Sequence, residues 1–269
     1  MPNLIVFDNL TIGSTFLFGK HQVNNETPWD IEWEIVHQEN DYQIAQTVQL
    51  IDVRAFDAKE ASNSDSNRKN YGNNNLKLSN IRQWLNSDAS AGNWYSAQHS
   101  ADAPPSNANI YTSYPTGYDA RPGFLYHFTA AQKSAMMNFD LTLKIPSVDC
   151  GGSHVVSQKV FLPTMTQVGF GANEGVAEGT VFNKYNGVAD SGRVKTLHPN
   201  VVANSKYTST SKKYVANVAW YWWLSSCYTN SCNVRFVLSS GELGSDAASY
   251  GYNALAPCIV LPRTGICPI

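Results

Sequence analysis

The chain has 269 residues, 43% of them hydrophobic and only 15% charged, which is ample apolar material for one large core or two small ones. The formal charge is −2 and the Lys and Arg residues are scattered, so neither a nucleic-acid interface nor a solvated acidic arm is encoded. Tyr, Trp, Asn and Ser are plentiful while Lys and Glu are few, a balance that favours β structure with long polar loops.

In chain order, residues 4–7 and 12–18 read as strands, punctuated by Gly13 and Gly19. The opening run lacks a basic segment and a small-residue cleavage site, so no signal peptide is expected. No later stretch is long and apolar enough to insert in a membrane. Ile31, Trp33 and Ile35 alternate with Glu32 and Glu34, the pattern of a half-buried strand, and residues 48–53 form another. Residues 58–76 are polar and Asn-rich and predict a long loop. Ser79 can cap a helix over 78–86, with Leu78, Ile81, Trp84 and Leu85 on one face. A large surface excursion at 87–123 precedes a second helix, 130–139, with Thr129 and Gln132 at capping-box spacing. Residues 159–162 read as a strand, Thr164 and Gln167 open a helical turn, and residues 171–213 are again loop-like. No internal repeat or linker appears, so one α+β domain over 1–269 is expected.

The closing stretch, Trp220 to Leu261, organises the rest. Trp220-Tyr221-Trp222-Trp223 and Cys258-Ile259-Val260-Leu261 predict core strands. Between them, Ser, Asn, Tyr, Ala, Gly and Asp dominate, the vocabulary of an adaptable contact surface on a stiff frame. The competing reading is a core hairpin with ordinary polar loops. Val234, Phe236 and Leu238 predict an inward face, with Arg235 pointing outward beside Tyr228, Asn230 and Asn233. Asp246, Tyr250, Tyr252 and Asn253 are expected to project from loops, where Tyr faces suit sugar rings and Asn and Asp suit hydroxyls. These eight residues are the candidate ligand-binding set.

Catalytic chemistry finds little support in the sequence. The six histidines form no zinc-type pair, no Gly-rich phosphate loop follows a strand, and no Gly-x-Ser-x-Gly elbow occurs. Asp57, Glu60, Asp140 and Asp149 remain open as carboxylates, but nothing selects them. Five cysteines leave at least one unpaired, which argues against a disulfide scaffold. Cys227 and Cys232 suit a local disulfide, free thiols or, least favoured, a Cu(I) site. Cys258 and Cys267 could pair to tie down the tail. No cofactor is expected.

Several motifs occur in a familiar order: Gly13-Ser14-Thr15-Phe16, Ile31-Glu32-Trp33-Glu34-Ile35, Ser79-Asn80-Ile81-Arg82-Gln83-Trp84-Leu85-Asn86, Gly123-Phe124-Leu125, Lys159-Val160-Phe161-Leu162-Pro163, Trp222-Trp223-Leu224 and Pro257. Together these resemble DUF6273 domains, common in phages and prophages of Gram-positive and gut bacteria. That family is similar to the C-type-lectin-like fold, which includes formylglycine-generating enzymes and the diversified tail proteins of phages. The resemblance implies a single lectin-like domain with its C-terminal segment as the ligand face. It also implies a virion protein, made in the host cytoplasm, at the tail tip or decorating the head. Its expected partners are a bacterial surface glycan or protein, other virion subunits and further copies of itself. Family members usually carry Arg after Trp-Trp-Leu and before the late Pro. Ser225 and Ala256 stand there, which suggests a remodelled face. Two alternatives accompany this reading. One is a purely structural virion subunit. The other is a formylglycine-generating-type oxidase using Cys227 and Cys232.

Overall fold

The computed structural model describes residues 4–111, 113, 116–204 and 214–268. Met1 to Asn3, and the part of the expected polar loop at 205–213, lie outside these residues. So do Thr112, Tyr114 and Pro115 of the expected excursion.

Two five-stranded sheets hold the core. The first runs, side by side, Thr15–His21, Trp29–Gln38, Tyr42–Thr47, Cys258–Pro262 and Val160–Phe161, every pair antiparallel. The second runs Leu243–Ala247, Asn233–Val237, Trp222–Cys227, Ala254–Leu255 and Asp52–Val53, where only the third and fourth strands are parallel. The architecture is α+β and mostly antiparallel, as the composition predicts. No helix among the described residues is long and apolar enough to cross a membrane.

Two chain segments pass from sheet to sheet side by side. Tyr42–Thr47 pairs with Cys258–Pro262 in the first sheet, and Asp52–Val53 pairs with Ala254–Leu255 in the second. Pro257, which has no N–H to give a ladder, marks the crossing. Its carbonyl accepts from the N–H of Thr47 at 3.1 Å, and Leu255 O accepts from Ile51 N at 3.0 Å.

The core is rich in indole. Trp33, Trp84, Trp222 and Trp223 are fully buried. Each buries its N–H against a carbonyl: Trp33 to Phe18 O at 2.7 Å, Trp84 to Pro122 O at 2.9 Å, Trp222 to Arg193 O at 3.2 Å and Trp223 to Arg54 O at 2.9 Å. A satisfied indole N–H is what allows so large a ring inside. Ser225 and Ala256 are buried too. Ser225 donates from its backbone to Pro163 O at 2.9 Å and from its hydroxyl to Leu162 O, and Ala256 O accepts from Gln46 Nε2 at 3.0 Å. These two positions are interior, which corrects the expectation of a remodelled face.

The helix caps fall where the sequence puts them. Ser79 caps Asn80–Leu85, and Thr129 with Gln132 completes a capping box on Ala130–Ala135. Thr164 and Gln167 make the same reciprocal bonds, at 2.9 and 3.1 Å, but close a turn instead of a helix. Several elements differ from expectation: the strand expected over 48–53 shortens to Asp52–Val53, Tyr42–Thr47 is a central strand, and Asp246 lies in the strand Leu243–Ala247 rather than on a loop. Phe139 begins a strand, and Phe139–Lys144 pairs with Ser153–Gln158 as a hairpin, because Leu141 and Leu143 alternate inward. Pro199–Asn204 is helical inside the expected loop. So is Ser66–Tyr71, and this helix matters most for the site.

Candidate binding site

An open polar depression of about 320 Å³ lies between the helix Ser66–Tyr71 and the hairpin turn that follows Trp222–Cys227. Asn67 and Tyr71 line one side, Asn230, Cys232 and Asn233 the other, and Asp246, Ala247 and Tyr250 complete it from the edge strand and its exit.

The turn is fixed by side-chain amides. Asn230 Oδ1 accepts from Cys232 N at 3.2 Å and Asn233 N at 2.7 Å, an Asx-type closure. Asn74 reaches in from the Asn-rich segment, and its Nδ2 faces Tyr228 O, Asn230 O and Asn233 O at 3.3, 2.6 and 2.9 Å. The helix opposite is capped by Asp65, whose Oδ1 accepts from Asn67 N, Arg68 N and the Ser231 hydroxyl at 2.9, 2.9 and 2.8 Å. Burial alone would raise the Asp65 carboxyl, but these three donors outweigh it and hold it below the usual carboxylate range. Arg68 forks onto Asp149 at 2.7 and 2.8 Å and donates from Nε to Ser231 O at 3.2 Å. Helix and turn are thus latched to each other beneath the depression.

Tyr250 packs its ring 4.4 Å from that of Tyr111, and Tyr71 stands well exposed on the other rim. Two aromatic faces flanking a bed of Asn and Asp can stack on an apolar ring face while bonding hydroxyls.

Of the eight expected site residues, the structure brings Asn230, Asn233, Asp246 and Tyr250 together in this depression. Tyr228 and Arg235 instead engage each other. Arg235 does lie on the face opposite Val234 and Phe236 and beside Tyr228, its guanidinium 4.4 Å over the ring with Glu174 Oε1 at 4.0 Å, but its side chain is only 17% exposed. Tyr252 is 8% exposed, with its ring against Tyr221 and Tyr250 and its hydroxyl on Asp246. Asn253 is fully buried, one residue before the strand Ala254–Leu255 that pairs with Asp52–Val53. Those two are corrections: the segment from Gly251 to Leu261 is interior, because it feeds the crossing between the sheets. Asn67 and Tyr71 were missed. The one signal that could have found them is Asp65, an N-cap residue inside a segment otherwise read as loop.

The thiols do not converge. Cys227 Sγ donates to Lys144 O at 3.5 Å, whereas Cys232 Sγ faces Asn233 Oδ1 at 3.3 Å. Burial, with Glu178 adding to it, pushes Cys227 up to about 12, and burial pushes Cys232 up to about 11. Among the described residues no group of three or more His, Cys, Asp or Glu side chains is placed to hold a metal ion. All five cysteines are free, and Cys258 and Cys267, which could have paired to tie down the tail, lie on strands of different sheets. Asp57 and Glu60 are buried as a pair. Asp57 accepts from Asn73 N and Asn80 N, and burial, then Glu60, raises its pKa well above the usual range. Neither carboxylate lines the depression.

A family model described as a domain of unknown function (DUF6273) matches residues 43–263. The chain belongs to the DUF6273 family. No curated protein and no solved structure matches it. The matched range leaves out Thr15–His21 and Trp29–Gln38, the edge strand of the first sheet and its neighbour, and holds the rest of both sheets from Gln43 on together with every residue of the depression. The site of this DUF6273 chain is therefore built within the family's own segment.

Proposed function

We propose that this DUF6273 chain is a non-enzymatic phage or prophage virion protein, at the tail tip or on the head, that holds a bacterial surface glycan in the depression between Tyr71 and Tyr250. The observation that carries the reading is the pairing of two aromatic rims with a bed of Asn67, Asn230, Asn233 and Asp246. Tyr rings supply stiff apolar area for a sugar face, and amides and a carboxylate take hydroxyl groups. The virion setting and the lectin-like character of the fold draw on the resemblance to phage domains. Because stacking and neutral hydrogen bonds dominate, binding should change little with salt.

The test is capture of host cells, or of a panel of their glycans, by the purified chain and by a Tyr71→Ala/Tyr250→Ala double variant. Each ring should contribute about 1 kcal/mol, so the double variant should bind roughly 30-fold more weakly. Equal capture by both proteins would abandon the depression as the site. A steep loss of binding with salt would speak against a neutral glycan.

A second reading, a purely structural virion subunit, draws on the terminal ribbon. Leu4–Val6 pairs with Ile266–Pro268 in a register that puts Leu4, Val6, Ile266 and Pro268 on one face, and Leu4 and Ile266 are strongly exposed.

A further inference from the structure

A second, smaller cavity of about 140 Å³ opens where Val23, Arg54 and Arg121 meet. It shares no residue with the polar depression. Arg54 is 3% exposed, with its guanidinium about 6 Å from the rings of Trp84 and Tyr118. Nη1 donates to Val53 O at 3.0 Å and Nη2 to Val23 O at 2.6 Å. Asp52 Oδ2 lies 3.0 Å from Nη2 and also receives His21 Nε2 at 2.8 Å, so one carboxylate serves two partners. The Arg54 Nε is buried with no hydrogen-bond partner. Asn24 Oδ1, on the cavity wall, is likewise buried and unpartnered, and an amide can turn over to present its N–H₂. Arg121 donates to Asn25 Oδ1 at 2.9 Å and makes no ion pair among the described residues, although Asp119 shares the cavity wall. Burial, then the charge of Arg54, lowers the Arg121 guanidinium from its ordinary value. Two cations facing one cavity, with a buried N–H left over, form an arrangement that an anion would relieve.

We propose that this cavity is a second binding site and takes one small oxyanion group, a phosphate or a carboxylate, between Arg54 and Arg121. The unpartnered Arg54 Nε can donate to one oxygen of such a group and the Arg121 guanidinium to another. The cavity has room for a group of a few heavy atoms, so the anion would be a free ion or a substituent of a larger molecule lying across the mouth.

The test is the thermal stability of the full chain in millimolar inorganic phosphate, sulfate or acetate, against sodium chloride of equal ionic strength. A bound anion should raise Tm by about 3 °C over chloride. A rise with phosphate and sulfate but not acetate identifies a phosphate-type ligand, and the reverse identifies a carboxylate. Arg121→Gln, at a half-buried position, should abolish the rise while leaving glycan capture at the depression intact. Asn24→Ala should at least halve the rise, which keeps the test readable if Arg121→Gln folds poorly. No rise with any of the three anions, or an undiminished rise in the variants, overturns the proposal.

Discussion

Asn74 is the residue on which the geometry of the depression turns. One amide nitrogen serves three carbonyls of the Tyr228–Asn233 turn, and the side chain is buried. Asn74→Ala leaves those carbonyls without their donor and should cost about 2–3 kcal/mol in urea denaturation. Asn74→Asp should cost more, since a carboxylate would face three carbonyl oxygens. The reverse order would mean that the amide merely fills space. Lys195 offers a test of a different kind. It is buried, its Nζ donates to Thr47 O at 2.6 Å and Val48 O at 3.2 Å, and burial, then Lys184, lowers its pKa from 10.5 to about 7. Between those two values the unfolded chain holds the proton that the folded chain has released. Stability should therefore rise with pH through that window. Relative to Lys195→Met, the wild type should gain on the order of a few kcal/mol from pH 7 to pH 10.5, read from denaturation midpoints. A difference that stays flat with pH would show that the ammonium remains charged in the fold.

The helix Ser66–Tyr71 has six residues, too few to hold on propensity alone. Its stability comes from Asp65 at one end, Gly72 at the other and Arg68 across to Asp149. Gly72 has φ +82, and an added Cβ would meet Ala58 O and Asp57 O at 3.0 Å. Arg68→Ala would strand Asp149 beside Asn75 and should cost about 3 kcal/mol. Amide exchange should then quicken through residues 66–71 before the rest of the chain, and glycan capture should weaken with it. Uniform loss of protection would deny the helix any separate role. This helix also marks where sequence reading stops. The capped helices at Asn80–Leu85 and Ala130–Ala135 were legible because cap and apolar face sit within a few residues of each other. Ser66–Tyr71 has no apolar stripe, and its partner Asp149 is 81 residues away. The same distance effect hid the site. Tyr228 and Arg235 share a turn and strand with Asn230 and Asn233, yet they mate with each other, while Tyr71 joins the depression from far up the chain. Sequence patterning conveys the alternation along Asn233–Val237. It does not convey that Gly251 to Leu255 runs through the interior, since small and polar residues there look like loop.

For the whole molecule, this burial limits which positions a binding face can vary. Between Ser225 and Ala256, exposed or half-exposed side chains are confined to 228–230, 233, 235, 238–240, 242–246 and 250. Substitutions outside those positions should lower stability before they alter any ligand preference, which a scan reading both expression and capture would separate. The paired crossing at Pro257 reaches further. Tyr42–Thr47 is a central strand of the first sheet, and it waits for a partner synthesised more than two hundred residues later. While the chain is still being translated, that strand's open edge must be shielded by a chaperone or stay unformed, because slow, long-range pairing leaves nascent edges prone to sticking. A ribosome stalled short of residue 258 should hold a protease-sensitive, aggregation-prone chain, and the emergence of Cys258–Pro262 should then close the first sheet.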